Sequence, residues 1–326
     1  MMKTAIVILN WNTVDYLKKF IPFLMESTEG LDAGIVVADN GSTDGSADET
    51  ERLFPSVKLI RFDRNYGFTG GYNKALAEVD AEYFVLLNSD VEVPRDWLRP
   101  LVEWMDSHPR CGACGPKLLR YDKRDTFEYA GAAGGLLDRF GFPYCRGRVM
   151  HSVEEDHGQY DTPTSVLWVS GACLMVRSSL WHKLGGLDER FWAHMEEIDL
   201  CWRLQLDGWM VDVVPASKVY HIGGGTLDNA SPLKLKFNYR NNLLLLENNL
   251  PATLGSRSRA RRRIFLRMCI DGCAAMVYLF TFRWSSFRAV VKAHGEYRSL
   301  RHPGPVTEGS PVHVEGLTKK ILIFAR

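Results

Sequence analysis

The sequence predicts an α/β fold in which helices cover a mostly parallel sheet, followed by a C-terminal helical extension. Residues 5–9 are an unbroken apolar run, as in a strand that is buried on both faces. Strand-like and helix-like segments then alternate through the first half of the chain. Because β-α-β units join parallel strands, this alternation predicts a parallel sheet with helices on both sides.

Short apolar runs mark the strands, and apolar residues at helical spacing mark the helices. Strands are expected at residues 5–9, 34–38, 57–62, 83–87, 166–176 and 209–214. Helices are expected at residues 14–25, 69–79, 94–105, 178–184, 195–207 and 233–248. A further helix is expected after Ser42 or Thr43, either of which can cap it. Residues 111–161 carry weaker signals, and no element is predicted there.

The composition is that of an ordinary globular chain. Its 326 residues suffice for one large or two modest domains, and 46% apolar residues can fill their cores. A net charge of +1 does not indicate a nucleic-acid partner. The seven cysteines are scattered through apolar stretches, which indicates free thiols in a reducing compartment. Cys111 and Cys114 form a CxxC without a second pair of ligands, so we expect them in the core rather than on zinc.

Polar side chains follow three of the predicted strands, at the point where each strand ends. In open α/β sheets, ligands bind beyond the carboxyl ends of the strands. The alternation therefore predicts one shared cleft that holds all of these side chains. They are Asn10, Asn12, Asp39, Asn40, Asn88 and Asp90.

Two of these strand ends have a chemical interpretation and a plainer alternative. In Asn88-Ser89-Asp90, a carboxylate can hold a divalent cation against diphosphate oxygens. The alternative is a simple turn, because all three residue types favour turns. Asp39 can accept the ring N–H of a pyrimidine base, or it can serve only the strand-to-helix turn that follows it.

The segment 64–73 is rich in glycine and precedes a predicted helix. Gly67, Gly70 and Gly71 leave the backbone open to close approach by a ligand, and helix N-termini favour anions. The segment matches neither a dinucleotide fingerprint nor a P-loop. The alternative is a mobile loop without a binding role.

An acidic cluster and a histidine complete the candidate residues. Helical spacing places Glu196 and Asp199 near one face with Arg203, so Glu197 points elsewhere and can act as a general base. The alternative is a solvated helix start, where acids suit the helix dipole. His221 follows an apolar strand and precedes three glycines, so it is either a ligand for metal or phosphate or a structural histidine.

Several short motifs follow one another along residues 3 to about 250. They are ILNWN, ADNGSTDGS, RNYGFTGGYN, LLNSDVEV, HMEEIDLCWR, VYHIGGGT and YRNN. In this order they resemble the inverting family 2 glycosyltransferases, which have the GT-A fold. The resemblance is closest to the bacterial rhamnosyltransferase-like members.

The resemblance implies roles for individual residues. Asp90 matches the last acid of the family's DxD metal motif, with Asn88 in place of the first acid, and His221 matches a histidine that coordinates metal in some relatives. Glu197 matches the catalytic base, where many members have Asp. The nucleotide sugar would be bound by Asn10, Asn12, Asp39, Asn65, Gly71, Asn88 and Arg240, the last of these facing the diphosphate.

The implied reaction is a single in-line displacement that inverts the anomeric configuration. A Mg²⁺ or Mn²⁺ ion would support the departing nucleotide diphosphate, and the donor would be dTDP-rhamnose or a UDP-sugar. The acceptor would be a hydroxyl of a growing cell-surface glycan. Two other classes stay open: a sugar nucleotidyltransferase, which would release pyrophosphate, and a non-catalytic nucleotide- or carbohydrate-binding protein of the same fold.

The C-terminal stretch has a different character. Residues 257–301 are rich in arginine and lysine, with Asp271 and Glu296 as the only acids, and aromatic residues follow an apolar segment. Such helices suit an anionic membrane surface and a lipid-linked acceptor, and the alternative is an ordinary packed helical tail. We expect a glycosyltransferase domain over 1–250, with a nucleotide-binding half at 1–110 and an acceptor half at 111–250, and a basic helical tail over 251–326. Without a visible signal peptide or membrane span, we expect a cytoplasmic protein in peripheral contact with the inner face of the cell membrane.

Overall fold

The computed structural model describes residues 2–150, 152–223 and 231–319. Its strands are β1 (Met2–Asn10), β2 (Ala33–Asp39), β3 (Lys58–Arg61), β4 (Ala81–Leu87), β5 (Val91–Glu92), β6 (Cys111–Arg120), β7 (Gly135–Leu137), β8 (Pro143–Cys145), β9 (Arg148–Val149), β10 (Ser152–Val153), β11 (Thr164–Ser165), β12 (Cys173–Arg177) and β13 (Met210–His221). Its helices are α1 (Val14–Thr28), α2 (Ser46–Leu53), α3 (Gly67–Ala77), α4 (Leu98–Ser107), α5 (Ser178–Lys183), α6 (Glu196–Leu206), α7 (Pro232–Leu254), α8 (Arg257–Phe280) and α9 (Trp284–Leu300).

One large sheet forms the centre of the protein, in the order β11-β13-β6-β12-β4-β1-β2-β3 with β5 paired to β13. The strands β1 to β4 are parallel to one another, and so are β6 and β13. The strand β12 runs antiparallel to both of its neighbours. The predicted mixed α/β fold with a mostly parallel sheet is therefore confirmed.

The first half agrees closely with the predicted elements, but the predicted cap of α2 is wrong. The helix begins at Ser46, after Gly45 in a left-handed conformation. Asp44 accepts a hydrogen bond from the Ser46 N–H at 3.0 Å, as an acid at a helix start should. The Ser42 hydroxyl instead contacts Asn10 and the backbone of Asn12.

The region 111–161, where no element was predicted, holds a central strand and a small second sheet. The strand β6 is buried along almost its whole length between β12 and β13. Gly112, Gly115 and Pro116 interrupt its apolar pattern, which hid it from sequence analysis. The second sheet is antiparallel, in the order β10-β9-β8-β7.

Two predicted strands have different bounds from those expected. Residues 166–172 are buried but form no strand beyond a single bridge between Trp168 and Gly135, so only the end of the predicted strand 166–176 belongs to β12. The strand β13 continues past residue 214 to His221, with an irregularity between Val213 and Lys218. This extension carries His221 to the edge of the sheet where β4 ends.

The C-terminal helices α7, α8 and α9 pack against one another, and α7 also packs on α6. A buried ion pair joins Arg267 and Asp271 at 2.8 Å, and the Arg267 guanidinium lies 3.7 Å from the centre of the Phe142 ring. The division expected at residue 250 falls inside α7, and the division into domains stays a prediction.

The segment after α9 returns to the main domain. Thr318 donates from its backbone N–H to the Leu137 carbonyl at 2.9 Å. Across the described ranges, no helix combines the length and apolar character that a membrane span needs.

The cysteines occupy two environments. Cys111 and Cys114 are free and buried, as expected for core cysteines, whereas Cys269 and Cys273 are exposed on α8.

Candidate active site

Asp90 and His221 meet where β4 and β13 end. The pairing of β5 with β13 places His221 opposite Val91, and the Ile222 N–H donates to the Asp90 carbonyl at 3.1 Å. The His221 Nε2 then lies 3.1 Å from the Asp90 Oδ1, with both side chains buried. Two predicted metal ligands that are far apart in the chain are thus in contact.

Glu128 is a second carboxylate beside the same imidazole. Its Oε1 lies 3.6 Å from the His221 Nδ1, and it is buried. Burial disfavours a charged imidazole, but the nearby carboxylates of Asp90 and Glu128 outweigh it and raise the pKa of His221 to about 10. Burial likewise opposes ionisation of Asp90, and His221 outweighs it, so the pKa of that carboxyl is lowered.

These residues fit a divalent cation. Two buried carboxylates around one imidazole favour positive charge at this point, and the His221 Nδ1 has no hydrogen-bond partner within the described part of the chain. Carboxylate oxygens and imidazole are suitable ligands for Mn²⁺, and Mg²⁺ keeps most of its shell for phosphates and water. The described residues contain no ready-made cluster of three or more protein ligands, so a substrate would have to complete the shell.

Glu197 stands at the start of α6 on a conformationally unusual turn. Trp192, His194 and Met195 all have positive φ angles, which is uncommon for residues other than glycine and is often associated with functional sites. Glu197 is partly exposed, but its Oε2 is buried without a hydrogen-bond partner. Burial raises the pKa of Glu197 to about 7, against the backbone N–H groups at the helix start. A carboxylate with this pKa is suited to proton abstraction near neutral pH.

The segment just before β12 connects Glu197 to the end of β4. A Cβ atom placed on Gly171 would lie 3.5 Å from the Glu197 Cβ. The next residue, Ala172, accepts a hydrogen bond from the Asn88 backbone N–H at 3.0 Å. The structure thus brings the acidic cluster to the strand end that carries Asn88 and Asp90.

The other acids of this cluster differ in their surroundings. Asp199 pairs with Arg203 at 2.7 Å and also accepts hydrogen bonds from Asn248 and Asn249, which gives it a structural role. Glu196 is buried and its Oε2 has no hydrogen-bond partner. Burial, with the charge of Glu197, raises the pKa of Glu196 well above its ordinary value.

Asn10 and Asp39 form a buried polar cluster at the ends of β1 and β2. The Asn10 Nδ2 donates to the Asp39 Oδ1 at 2.8 Å, and the Asp39 Oδ2 accepts the Ser42 N–H at 3.0 Å. Asn12 has a positive φ and its Oδ1 accepts the Thr43 N–H at 2.8 Å. These side chains hold the strand ends in place, and both Asp39 oxygens already have one partner each.

Asn40 links this polar cluster to the glycine-rich segment, a role that was not predicted. Its Oδ1 accepts the Tyr66 N–H at 3.0 Å, and its Nδ2 donates to the Asn65 Oδ1 at 3.1 Å. Asn65 also accepts the Gly67 N–H at 2.7 Å. The predicted residues Asn10, Asp39 and Asn65 therefore belong to one hydrogen-bonded assembly with Asn40.

Two residues predicted to contact the nucleotide sugar are engaged by other parts of the protein. Gly71 lies inside α3, and a Cβ there would come within 2.7 Å of the Leu9 side chain, so packing and not ligand access explains this glycine. Arg240 is buried, donates to the Phe191 carbonyl at 2.8 Å and to Glu296 at 3.0 Å, and is not directed at a diphosphate. With Asn241, which donates to three carbonyls of the same turn, Arg240 holds the turn before Glu197 in position.

Three comparisons with known proteins bear on this arrangement. The family model for glycosyl transferase family 2 matches residues 5–182, more than half of the chain. The chain belongs to glycosyl transferase family 2. The expected family and fold are thereby confirmed, and this protein is a nucleotide-sugar-dependent glycosyltransferase.

The chain is 28% identical over 232 residues to an N-acetylglucosaminyl-diphospho-decaprenol L-rhamnosyltransferase of Mycobacterium tuberculosis, an alignment that covers 66% of this chain and 75% of that one. It resembles the Pyrobaculum calidifontis mannosyltransferase PcManGT, solved with GDP-Man and Mn²⁺, at a TM-score of 0.54 and 13% identity, with 92% and 88% of the two chains covered. It also resembles GalNAc-T7, solved with UDP, GalNAc and Mn²⁺, at a TM-score of 0.56 and 16% identity. That match covers 79% of this chain and spans only 51% of that one.

Proposed function

We propose that this enzyme transfers a sugar with inversion, using Glu197 as general base and an Asp90-held divalent cation. The observation that carries the proposal is that Asp90 contacts His221 while the Asn88 backbone bonds to Ala172, just before β12. Glu197 packs against the neighbouring Gly171. We place the nucleoside at the adjacent strand ends, beside the polar cluster of Asn10, Asp39 and Asn65.

Each residue has a defined part in this scheme. The Glu197 carboxylate accepts the proton of the acceptor hydroxyl as that oxygen bonds to the anomeric carbon and the bond to the nucleotide diphosphate breaks. Asp90 and His221 would hold the cation, which when bound neutralises charge on the leaving diphosphate. Asn88 lies beside them and would position the donor.

The donor and acceptor are proposed from the relatives. The name of the mycobacterial relative specifies a rhamnosyl transfer to a sugar on a diphospho-decaprenol. We expect dTDP-rhamnose or a UDP-sugar as the donor here, and an acceptor hydroxyl of a cell-surface glycan under construction.

A thermal-shift screen of dTDP-, UDP- and GDP-sugars with and without Mn²⁺ tests the donor and metal assignments. A donor at a hundred times its Kd stabilises the folded chain by about 2.7 kcal/mol, which raises Tm by several degrees. We expect this rise only with the metal, and its loss in Asp90→Asn but not in Glu103→Gln, a control on the exposed face of α4. An equal metal-independent shift in Asp90→Asn would contradict the assignment, and release of pyrophosphate instead of nucleoside diphosphate would indicate a nucleotidyltransferase.

We also infer that the C-terminal helices contact the inner face of the cell membrane. Large apolar side chains are exposed along α8 and at the turn into α9: Phe265, Met276, Val277, Phe280, Phe282 and Trp284. Phe280 and Phe282 are 73% and 78% exposed, and Arg283 and Arg288 stand beside them. Aromatic side chains flanked by arginines suit the interface of an anionic bilayer.

The helices that carry this apolar surface pack against α7, which holds the turn before Glu197. Tyr278 on α8 is a hydrogen-bonding neighbour of Tyr239 on α7. The next residue, Arg240, holds the turn that leads to Glu197. The proposed membrane contact and the proposed base are thus connected through α7.

Sedimentation with phosphatidylglycerol vesicles and with neutral phosphatidylcholine vesicles tests this contact. The double variant Phe280→Asp/Phe282→Asp is expected to lose binding to the anionic vesicles. Phe23→Asp, which changes an equally apolar exposed residue on α1, is expected to keep it. Equal sedimentation of the two variants would rule the surface out.

A further inference from the structure

Arg148 is a buried guanidinium that has no carboxylate partner among the residues that the structure describes. It is 6% exposed, and its Nε makes no hydrogen bond among the described residues. The contacts found are the Cys145 Sγ, 3.5 Å from Nη2, and the Tyr129 ring, whose centre lies 4.5 Å from the guanidinium carbon. No ion pair to it occurs within residues 2–150, 152–223 and 231–319. Burying an unpaired charge is costly, so such a residue is suited to meet an anion from outside.

Arg148 stands next to the proposed catalytic residues. Tyr129, which stacks against it, directly follows Glu128, the carboxylate beside His221. Burial raises the pKa of the Cys145 thiol, which Arg148 touches, and the charges of Glu128 and Glu197 act in the same direction. Arg148 is therefore connected to Glu128 through the Tyr129 ring on which it stacks.

The position of Arg148 favours the acceptor over the donor. It belongs to β9 of the small antiparallel sheet, whereas the proposed nucleoside pocket is formed by β1, β2 and the segment after β3. Glu128 separates it from the Asp90–His221 pair that would hold the cation on the donor diphosphate. The residues around it, Tyr129, Val149 and Met150, are 50%, 39% and 47% exposed and form an apolar rim open to solvent.

We propose that Arg148 binds a phosphate of the acceptor, so that the acceptor is a sugar carried on a phosphate or diphosphate. This rests on the proposed function, since it needs Glu197 to receive the acceptor hydroxyl. Arginine presents several N–H groups in a planar fork that matches phosphate oxygens. A phosphate on the anomeric carbon of the acceptor sugar would lie one ring away from the hydroxyl at Glu197. The apolar rim would then face the lipid that carries the phosphate.

Calorimetric binding of two synthetic acceptors tests the proposal without any turnover. One probe is N-acetylglucosamine diphosphate on a short isoprenoid chain, and the other is the neutral octyl glycoside of the same sugar. Arg148→Ala is expected to weaken binding of the diphosphate probe about ten- to hundredfold, and Arg148→Lys less, because a lysine cannot bind two oxygens in the same plane. Binding of the neutral glycoside and of the nucleotide donor is expected to stay unchanged.

Arg146→Ala is the matched control. Arg146 is two residues away, partly buried, and stacks on Tyr160 instead of Tyr129. We expect it to leave binding of the diphosphate probe within a factor of about two, since its guanidinium sits over a different ring. The donor affinity of each variant, measured by thermal shift, shows that the site is folded, and Arg148→Lys decides the matter if Arg148→Ala does not fold.

Several results would overturn the proposal. An equal loss for the neutral glycoside would make Arg148 a shaping residue, and a loss confined to the nucleotide would assign it to the donor phosphates. Unchanged binding of the diphosphate probe in Arg148→Ala would remove the site altogether. Failure of the diphosphate probe to bind the unaltered protein would also reject the acceptor site. The proposed donor and metal sites are tested separately, by the metal-dependent thermal shift.

Discussion

The ionisation of Glu197 makes a sharp prediction about the pH dependence of transfer. A general base must be deprotonated to act, and burial raises the pKa of Glu197 to about 7. The ionised fraction is therefore about one half at pH 7, about a tenth at pH 6 and about a hundredth at pH 5. An ordinary exposed glutamate would be almost fully ionised at pH 6. We expect kcat/KM to fall about tenfold per pH unit below pH 7.

The assay is the initial rate of nucleoside diphosphate release at subsaturating acceptor, from about pH 5 to about pH 9, at constant ionic strength. Glu197→Gln is expected to lower kcat by about 10²- to 10⁴-fold and to remove the acidic limb. Glu197→Asp keeps a carboxylate at greater distance and is expected to retain part of the rate. Glu103→Gln is the control and should leave both rate and profile unchanged.

Two outcomes would refute this reasoning. Near-full transfer by Glu197→Gln would place the base elsewhere in the cluster, with Glu196 as the next residue to test. A profile that is flat down to about pH 5 would mean that the base has an ordinary pKa. The Glu197 Oε2 would then not be buried as it is in the structure.

Two further predictions concern stability. Burial and the charge of Glu197 raise the pKa of Glu196 well above its unfolded value of 4.5, so its contribution to stability is present at low pH and is lost as the pH rises above that value. Glu196→Gln should therefore raise the free energy of unfolding, and with it Tm, more at pH 8 than at pH 5, by on the order of 1–3 kcal/mol at pH 8. A larger gain at pH 5 would contradict this sign. Gly41 and Gly45 both have positive φ, but a Cβ on Gly41 would come within 2.6 Å of the Arg64 backbone, whereas one on Gly45 would meet nothing within 4 Å. In urea unfolding, Gly45→Ala should lower the free energy of unfolding by about 1–2 kcal/mol, and Gly41→Ala by about 1–3 kcal/mol more. Equal losses would show that the loops of Gly41 and Arg64 are not in close contact.

The sequence was informative where signals are local. Unbroken apolar runs predicted β1, β2 and β4 because a strand buried on both faces needs them, and the helix period predicted α1, α3 and α6. The ordered motifs indicated the family, and strand ends located Asn10, Asp39 and Asp90. It was least informative at β6 and the small sheet, where glycines fit close neighbours that only the fold supplies, as at Gly135, where a Cβ would come within 1.9 Å of the Trp168 ring.

By itself, the sequence determined the fold class, the family and the residue types that sugar transfer requires, because these follow from short-range pattern and from motif order. Only the tertiary structure decided which side chains are available to a ligand. Arg240 and Gly71 have suitable chemistry, yet Glu296 and Leu9 occupy the space around them. Glu128 and Arg148 lie in the region 111–161, where the sequence predicted no element, yet Glu128 contacts His221 and Arg148 contacts Cys145. The reason is that burial and pairing arise between residues distant in the chain, and those contacts set whether a charge is satisfied within the protein or left for a substrate.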